Sequence, residues 1–173
     1  MSSPAATFQA QAPFMQNLYA VILAGGVGKR FMPYSTEEMP KQFLHITDPD
    51  RTMIQMTYDR ITQLVPKQNV FISTNARYAD IVQAQLPDVP AANIVGEPLK
   101  KNTAAPIALL NHFIWARDAG AVALFLPSDH YIADTDAALD AYKRAAVIAA
   151  RRSMLITFGI VPTFPSPDYG YVQ

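Results

Sequence analysis

The chain has 173 residues, half of them hydrophobic and 16% charged, and its 14 Lys plus Arg balance its 14 Asp plus Glu to a net charge of zero. That is enough for one domain with its own core, and it excludes intrinsic disorder and a general polybasic surface for nucleic acid or membrane, while leaving a local anion site open. Cysteine is absent and the three His are far apart, which removes disulfides, thiol chemistry and the usual metal-ligand spacings, and no apolar run approaches the roughly 20 residues of a membrane span.

Residues 1–17, MSSPAATFQAQAPFMQN, are small, polar and proline-punctuated. They read as a flexible N-terminal tail, with residues 18–173 as the domain. There is no basic n-region and no long apolar h-region, so cytoplasm is the expected compartment. Tyr19-Ala20-Val21-Ile22-Leu23, ending at Gly25-Gly26, predicts a strand buried on both faces. Thr52 is a candidate cap for a helix that puts Ile54, Tyr58, Ile61 and Val65 on one face before Pro66. Val70-Phe71-Ile72 is the second strand, and Ala76 to Leu86 the next helix, closed by Pro87. Asn93-Ile94-Val95 is a brief third strand. Asn102 or Thr103 is placed to cap a helix with Pro106 in its early turns and Ile107, Leu110 and Ile114 on one face. Ala121 to Leu126 is a fourth strand, cut by Pro127. Asp134 to Arg151 carries Leu139, Tyr142, Ala146 and Ala149 at helical spacing. Met154 to Phe158 reads as a final strand before the proline-rich stretch Pro162 to Pro167.

Strands separated by helices imply parallel pairing through right-handed crossovers, hence an α/β fold with a doubly wound, mostly parallel sheet. Ligands in such sheets sit beyond the carboxyl ends of the strands. The loops to read for chemistry are therefore those after Leu23, Ile72, Val95 and Leu126.

The first of them runs Leu23-Ala24-Gly25-Gly26-Val27-Gly28-Lys29-Arg30. Three glycines in four residues allow close backbone approach and aim N–H groups at an anion. Arg30 adds a fork that suits phosphate. The loop is not a Walker A motif, because Leu23 stands where its first glycine belongs and Arg30 where its Ser or Thr belongs. Nor is it a dinucleotide fingerprint, because Phe31 stands at the third glycine position. By residue type alone Lys41 reads as a surface lysine, Asp129 as a turn or cap residue, Glu97 as a loop charge and Asn102 as a helix cap.

Spacing changes that reading. Gly26-x-Gly28-x-Arg30-x-x-Pro33-x-Ser35 followed by Pro40-Lys41-Gln42-Phe43-Leu44 resembles the signature of the sugar-nucleotide pyrophosphorylases. The Pro-Lys-Gln-Phe-Leu form resembles in particular their mannose-1-phosphate guanylyltransferase branch. Glu97-Pro98 with Asn102-Thr103-Ala104-Ala105-Pro106, Leu126-Pro127-Ser128-Asp129-His130, and Phe158-Gly159 with Tyr169-Gly170-Tyr171 resemble further segments of that branch. Residues 19 to 173 carry the likeness. Departures are Lys29 for the usual Thr, Phe31-Met32 for Leu-Trp, and Pro167-Asp168 for Thr-Gly.

The resemblance implies a Rossmann-like, GT-A-like nucleotidyltransferase fold, cut short at its C-terminus. It implies formation of GDP-mannose and pyrophosphate from GTP and a sugar 1-phosphate, mannose 1-phosphate first. Leu23, Ala24, Gly25, Gly26 and Gly28 would hold the nucleotide, with Glu97 and Asn102 on the nucleoside side. Arg30 and Lys41 would be catalytic, Asp129 would ligate Mg²⁺, and Tyr169 and Gly170 would lie near the sugar. The branch continues through a Glu-Lys-Pro segment and a second metal-binding acid. The chain is therefore expected to bind GTP with Mg²⁺ and turn over weakly or not at all. The alternatives are another base or sugar, and a non-catalytic nucleotide-binding or regulatory module. Uncovered sheet and core surface would favour self-association into a homo-oligomer.

Overall fold

In the computed structural model, residues 16–26, 31–98, 102–167 and 170–172 are described. The apolar run of the first strand is buried except at Leu23, which is partly exposed. Leu18, Ala20, Val21, Ile22 and Ala24 are fully enclosed and form strand β1 with Tyr19 and Leu23 (Leu18–Ala24). The remaining described strands are β2 (Val70–Asn75), β3 (Ile94–Glu97) and β4 (Val122–Pro127). Their order is β3-β2-β1-β4, and every described pairing is parallel. The register sets Ile22 beside both Ile72 and Leu126. This is half of a doubly wound sheet, as the alternation of patterns predicts.

Among the described residues, α-helices α1 (Met53–Ile61), α2 (Ala79–Gln85), α3 (Ala104–Arg117) and α4 (Thr135–Arg152) cover the sheet. Side chains alternate across a strand, so β1 supplies two cores. Ala20 and Ile22 join Ile72 and Leu124 under Ile54 and Ile61 of α1, Val82 of α2 and Leu139 of α4. On the opposite face Tyr19, Val21 and Phe71 meet Leu110 and Ile114 of α3. The outer side of α3 leaves Leu109, Phe113 and Trp115 exposed. Between α1 and α4, Arg60 is buried and donates to Thr57 Oγ1 at 3.3 Å. Burial pushes its guanidinium below the ordinary value.

Helix ends follow local chemistry. Thr52 donates its N–H to Gln55 Oε1 at 3.0 Å ahead of α1. Asp134 Oδ1 accepts from Ala137 N at 2.9 Å ahead of α4. The single helix expected over 76–86 is divided into a 3₁₀ turn (Ala76–Tyr78) and α2. Asn75 Oδ1 accepts from Arg77 N at 3.1 Å and tightens that first turn. A Cβ on Gly96 would come within 2.9 Å of the Ala76 Cα, so β3 and this turn approach as closely as glycine alone permits. Asn93, expected in β3, lies in a preceding 3₁₀ turn (Ala91–Asn93). Its side chain donates to Gln68 O and Val70 O. Thr103 takes the cap position of α3, yet its backbone is helical and its side chain makes no capping bond, while Asn102 is left-handed at φ 55.

The expected strand over Met154 to Phe158 does not form. After α4 the chain turns through Ser153 at φ 48, and residues 154–162 pair with no described strand. Leu155, Ile160 and Val161 are 99%, 86% and 86% exposed, while Phe158 leans edge-on against Tyr142. An apolar run becomes a strand only where a neighbouring backbone receives it, and strand propensity is decided by that context. At the other end, Gln16 and Asn17, expected in the tail, are tied to the domain. Asn17 Nδ2 donates to Asp118 Oδ2 at 2.8 Å, and Gln16 O accepts from Asn69 Nδ2 at 3.0 Å. Residues 1–15 lie outside the described residues. Among the described residues no helix is long and apolar enough to cross a membrane.

Candidate functional site

The connection from β3 to β4 passes over the opposite face of the sheet, so the winding reverses between β1 and β4. A crevice opens at the carboxyl ends of strands at such a point. Ser128 N donates to Leu23 O at 3.1 Å and holds the two strand ends together. Beside them lies a cleft of about 330 Å³. Five residues expected to bind nucleotide line it: Leu23, Gly25, Gly26, Glu97 and Asn102. Sequence reasoning missed Ser73, Asn75, Thr103, Pro106 and Pro127, which complete the wall. A second recess is lined, among the described residues, by Pro162 to Pro167 and Tyr171.

One end of the cleft is built on adjacent strand tips. Ser73 on β2 donates from Oγ to Glu97 Oε1 on β3 at 2.8 Å, which fixes the carboxylate's rotamer. The register pairs Ser73 with Val95 and Asn75 with Glu97, so the ladder itself sets this spacing. Ser73 is buried, and its polar character at the end of an otherwise apolar strand was the signal that could have revealed it.

The glycine loop forms the floor. A Cβ on Gly25 would meet only Glu97 Oε1, at 3.6 Å, and one on Gly26 would meet nothing within 4 Å. Packing therefore does not demand glycine at either position, and the space left free belongs to the cleft. Ala24 is fully buried, and its carbonyl accepts from Gln42 Nε2 at 2.8 Å and Thr74 Oγ1 at 3.0 Å. Ala24 itself does not line the cleft. Gly28 and Arg30 lie outside the described residues.

Outside the lining of the cleft, two charged residues 88 positions apart come together. Lys41 sits on a 3₁₀ turn (Lys41–Phe43), and Asp129 follows β4. Lys41 Nζ is 3.6 Å from Asp129 Oδ2, 3.5 Å from the Asp129 carbonyl and 5.7 Å from the centre of the Phe31 ring. Both side chains remain partly exposed, at 26% and 43%. An ion pair so wet contributes little to stability, so its placement matters more than its energy. Among the described residues no group of three or more His, Cys, Asp or Glu could hold a metal. A single reachable carboxylate still fits Mg²⁺, which keeps several waters and takes further ligands from substrate phosphates. Gly170 is exposed and does not line the cleft. Tyr169 lies outside the described residues.

The cleft lies at the switch point with two glycines in its lining, and the Lys41–Asp129 pair lies outside that lining, beyond the end of β4. Residues 19–173 match the nucleotidyl transferase family, and the chain belongs to it. Among its relatives, the mannose-1-phosphate guanylyltransferase of Salmonella muenchen is 38% identical over 164 residues, covering 91% of this chain and 34% of that protein. The crystal structure of mannose-6-phosphate isomerase from Helicobacter pylori matches with a TM-score of 0.68 and 27% identity, over 87% of this chain and 53% of that one. The crystal structure of mannose-1-phosphate geranyltransferase from Thermus thermophilus matches with a TM-score of 0.63 and 31% identity, over 75% of this chain and 37% of that one. The chain spans about a third of the length of the curated relatives it matches.

Proposed function

We propose that this chain is the nucleotide-binding part of a cytoplasmic nucleotidyltransferase that forms GDP-mannose and pyrophosphate from GTP and mannose 1-phosphate. The observation that carries the reading is the cleft itself. Gly25 and Gly26 leave room that packing does not require, within a strand-end crevice that also gathers Glu97 and Asn102. The two neighbours named for mannose-1-phosphate guanylyltransferase and geranyltransferase support the sugar assignment.

The chemistry asks for little proton transfer. An oxygen of the sugar phosphate, already ionised, attacks the α-phosphorus of GTP. The bond from that phosphorus to the β-phosphate oxygen breaks, and pyrophosphate leaves with the electron pair. Catalysis is then positioning and neutralisation of charge. The backbone of residues 24–26 holds the nucleotide. Lys41 turns from Asp129 to the α-phosphate and offsets the charge that develops there. Arg30, by resemblance, holds the leaving phosphates. Asp129 would hold Mg²⁺, which when bound would supply neutralisation of the phosphate charge. Glu97, oriented by Ser73, accepts from guanine N1–H and the 2-amino group, a donor pair that adenine lacks. Tyr169 and Gly170 are assigned to the sugar by resemblance alone. No nucleic acid or membrane enters this scheme.

Calorimetric titration of the chain with GTP and Mg²⁺ tests it. Saturable heat is expected, with affinity about thirtyfold lower in Lys41→Ala, in the range of a lost charge-assisted bond. Absence of heat from the unaltered chain would overturn the nucleotide assignment. Pyrophosphate release on adding mannose 1-phosphate then separates a self-sufficient transferase from a binding module.

A further inference from the structure

Gln42 stands beside Lys41 on the same 3₁₀ turn, but it faces the other way. It is 3% exposed, and its side-chain nitrogen donates to Ala24 O at 2.8 Å and to Gly26 O at 3.0 Å. A primary amide has two N–H donors, and both are committed to one stretch of the glycine loop. A peptide unit is planar and trans, so its C=O and N–H point in opposite directions. Holding the Ala24 carbonyl inward turns the Gly25 N–H outward, toward the cleft that Gly25 lines. Thr74 Oγ1 completes the hold on Ala24 O.

The turn that carries Gln42 is itself fixed. Phe43 is buried against the Tyr78 ring, and its carbonyl accepts from Gln85 Nε2 at 3.1 Å. Gln85 in turn accepts from Thr52 Oγ1 at 2.8 Å and from Gln55 Nε2 at 3.0 Å. The amide that holds the loop is thus mounted on a turn pinned to α1 and α2.

We propose that Gln42 is a positioning residue for nucleotide binding. It locks the Ala24 and Gly26 carbonyls so that the loop's backbone donors face the cleft, and its neighbour Lys41 shares the same mount. The spacing between loop and lysine is then set by one rigid turn. A neutral amide suits the place. A buried ammonium would carry a desolvation cost, and a carboxylate would set acceptor against acceptor.

The GTP readout of the test rests on the proposed function, whereas the loop readout does not. Gln42→Met keeps the shape and removes both donors. Amide hydrogen exchange at Gly25 and Gly26 is expected to rise about tenfold, with exchange in Val70–Ser73 unchanged, and GTP affinity to fall about tenfold. Gln42→Glu is expected to be worse on both counts. A folded Gln42→Met chain with unchanged loop exchange and unchanged GTP affinity would overturn the proposal. Should that variant not fold, the side-chain amide protons of Gln42 in the unaltered chain decide. Slow solvent exchange by NMR supports the lock, and exchange at the rate of a free amide overturns it. If the unaltered chain binds no GTP while the variant's loop still exchanges faster, the nucleotide assignment fails and the role of Gln42 in ordering the loop stands.

Discussion

The strand-tip wall of the cleft and the Lys41–Asp129 pair outside its lining are built differently. Glu97 and Ser73 lie on neighbouring, hydrogen-bonded strand tips, and a 2.8 Å bond sets the carboxylate before any ligand arrives. Lys41 and Asp129 lie on a turn and a strand-end loop, half in water, with 3.6 Å between opposite charges. The first is held rigidly by the sheet, and the second is a wet ion pair; under the proposed function the first would set selectivity and the second would neutralise charge.

Substitutions can break or sharpen that contrast. Gly26→Val places a branched side chain in open space, so it is expected to weaken GTP binding by at least about hundredfold while leaving the melting temperature unchanged. Loss of folding instead would show that the floor is structural. Gly96→Ala forces a Cβ toward Ala76 and is expected to destabilise by about 1–3 kcal/mol in urea unfolding, loosening the Glu97 wall ahead of the Lys41–Asp129 pair. Glu97→Gln keeps the size but offers a donor where guanine already donates. The preference for GTP over ATP in paired titrations is expected to fall about tenfold, with little change in ATP affinity itself. Asp129→Asn removes only a wet ion pair and is expected to shift unfolding by less than about 1 kcal/mol. Its signature is chemical: GTP binding should stop responding to Mg²⁺.

Much of this was legible in the residues. The four strands announce themselves as apolar runs because parallel strands are buried on both faces, and the loop after Leu23 announces an anion site through its glycines. Motif order named Lys41 and Asp129 separately, one as catalytic and one as a metal ligand, and their pairing became visible only with the fold. Other features depend on long-range context. Whether Met154 to Phe158 pairs depends on a neighbour no local window contains. The split of the 76–86 helix reflects Asn75 capping a tight turn and β3 pressing on Ala76. Gln42 and Thr74 were silent because a polar side chain shows its purpose only once its partner, a carbonyl on another element, is placed.

The order β3-β2-β1-β4 has a consequence in time. During synthesis β1, β2 and β3 can pair as soon as residue 97 is available, since each joins the one before it. The crevice cannot exist then, because its second wall, β4, pairs with β1 across about a hundred residues of chain. Closing so long a loop is slow compared with helix formation. The wall that Pro127 adds to the cleft therefore forms after β1, β2 and β3 can pair, and pulsed hydrogen exchange during refolding would report completion of the sheet.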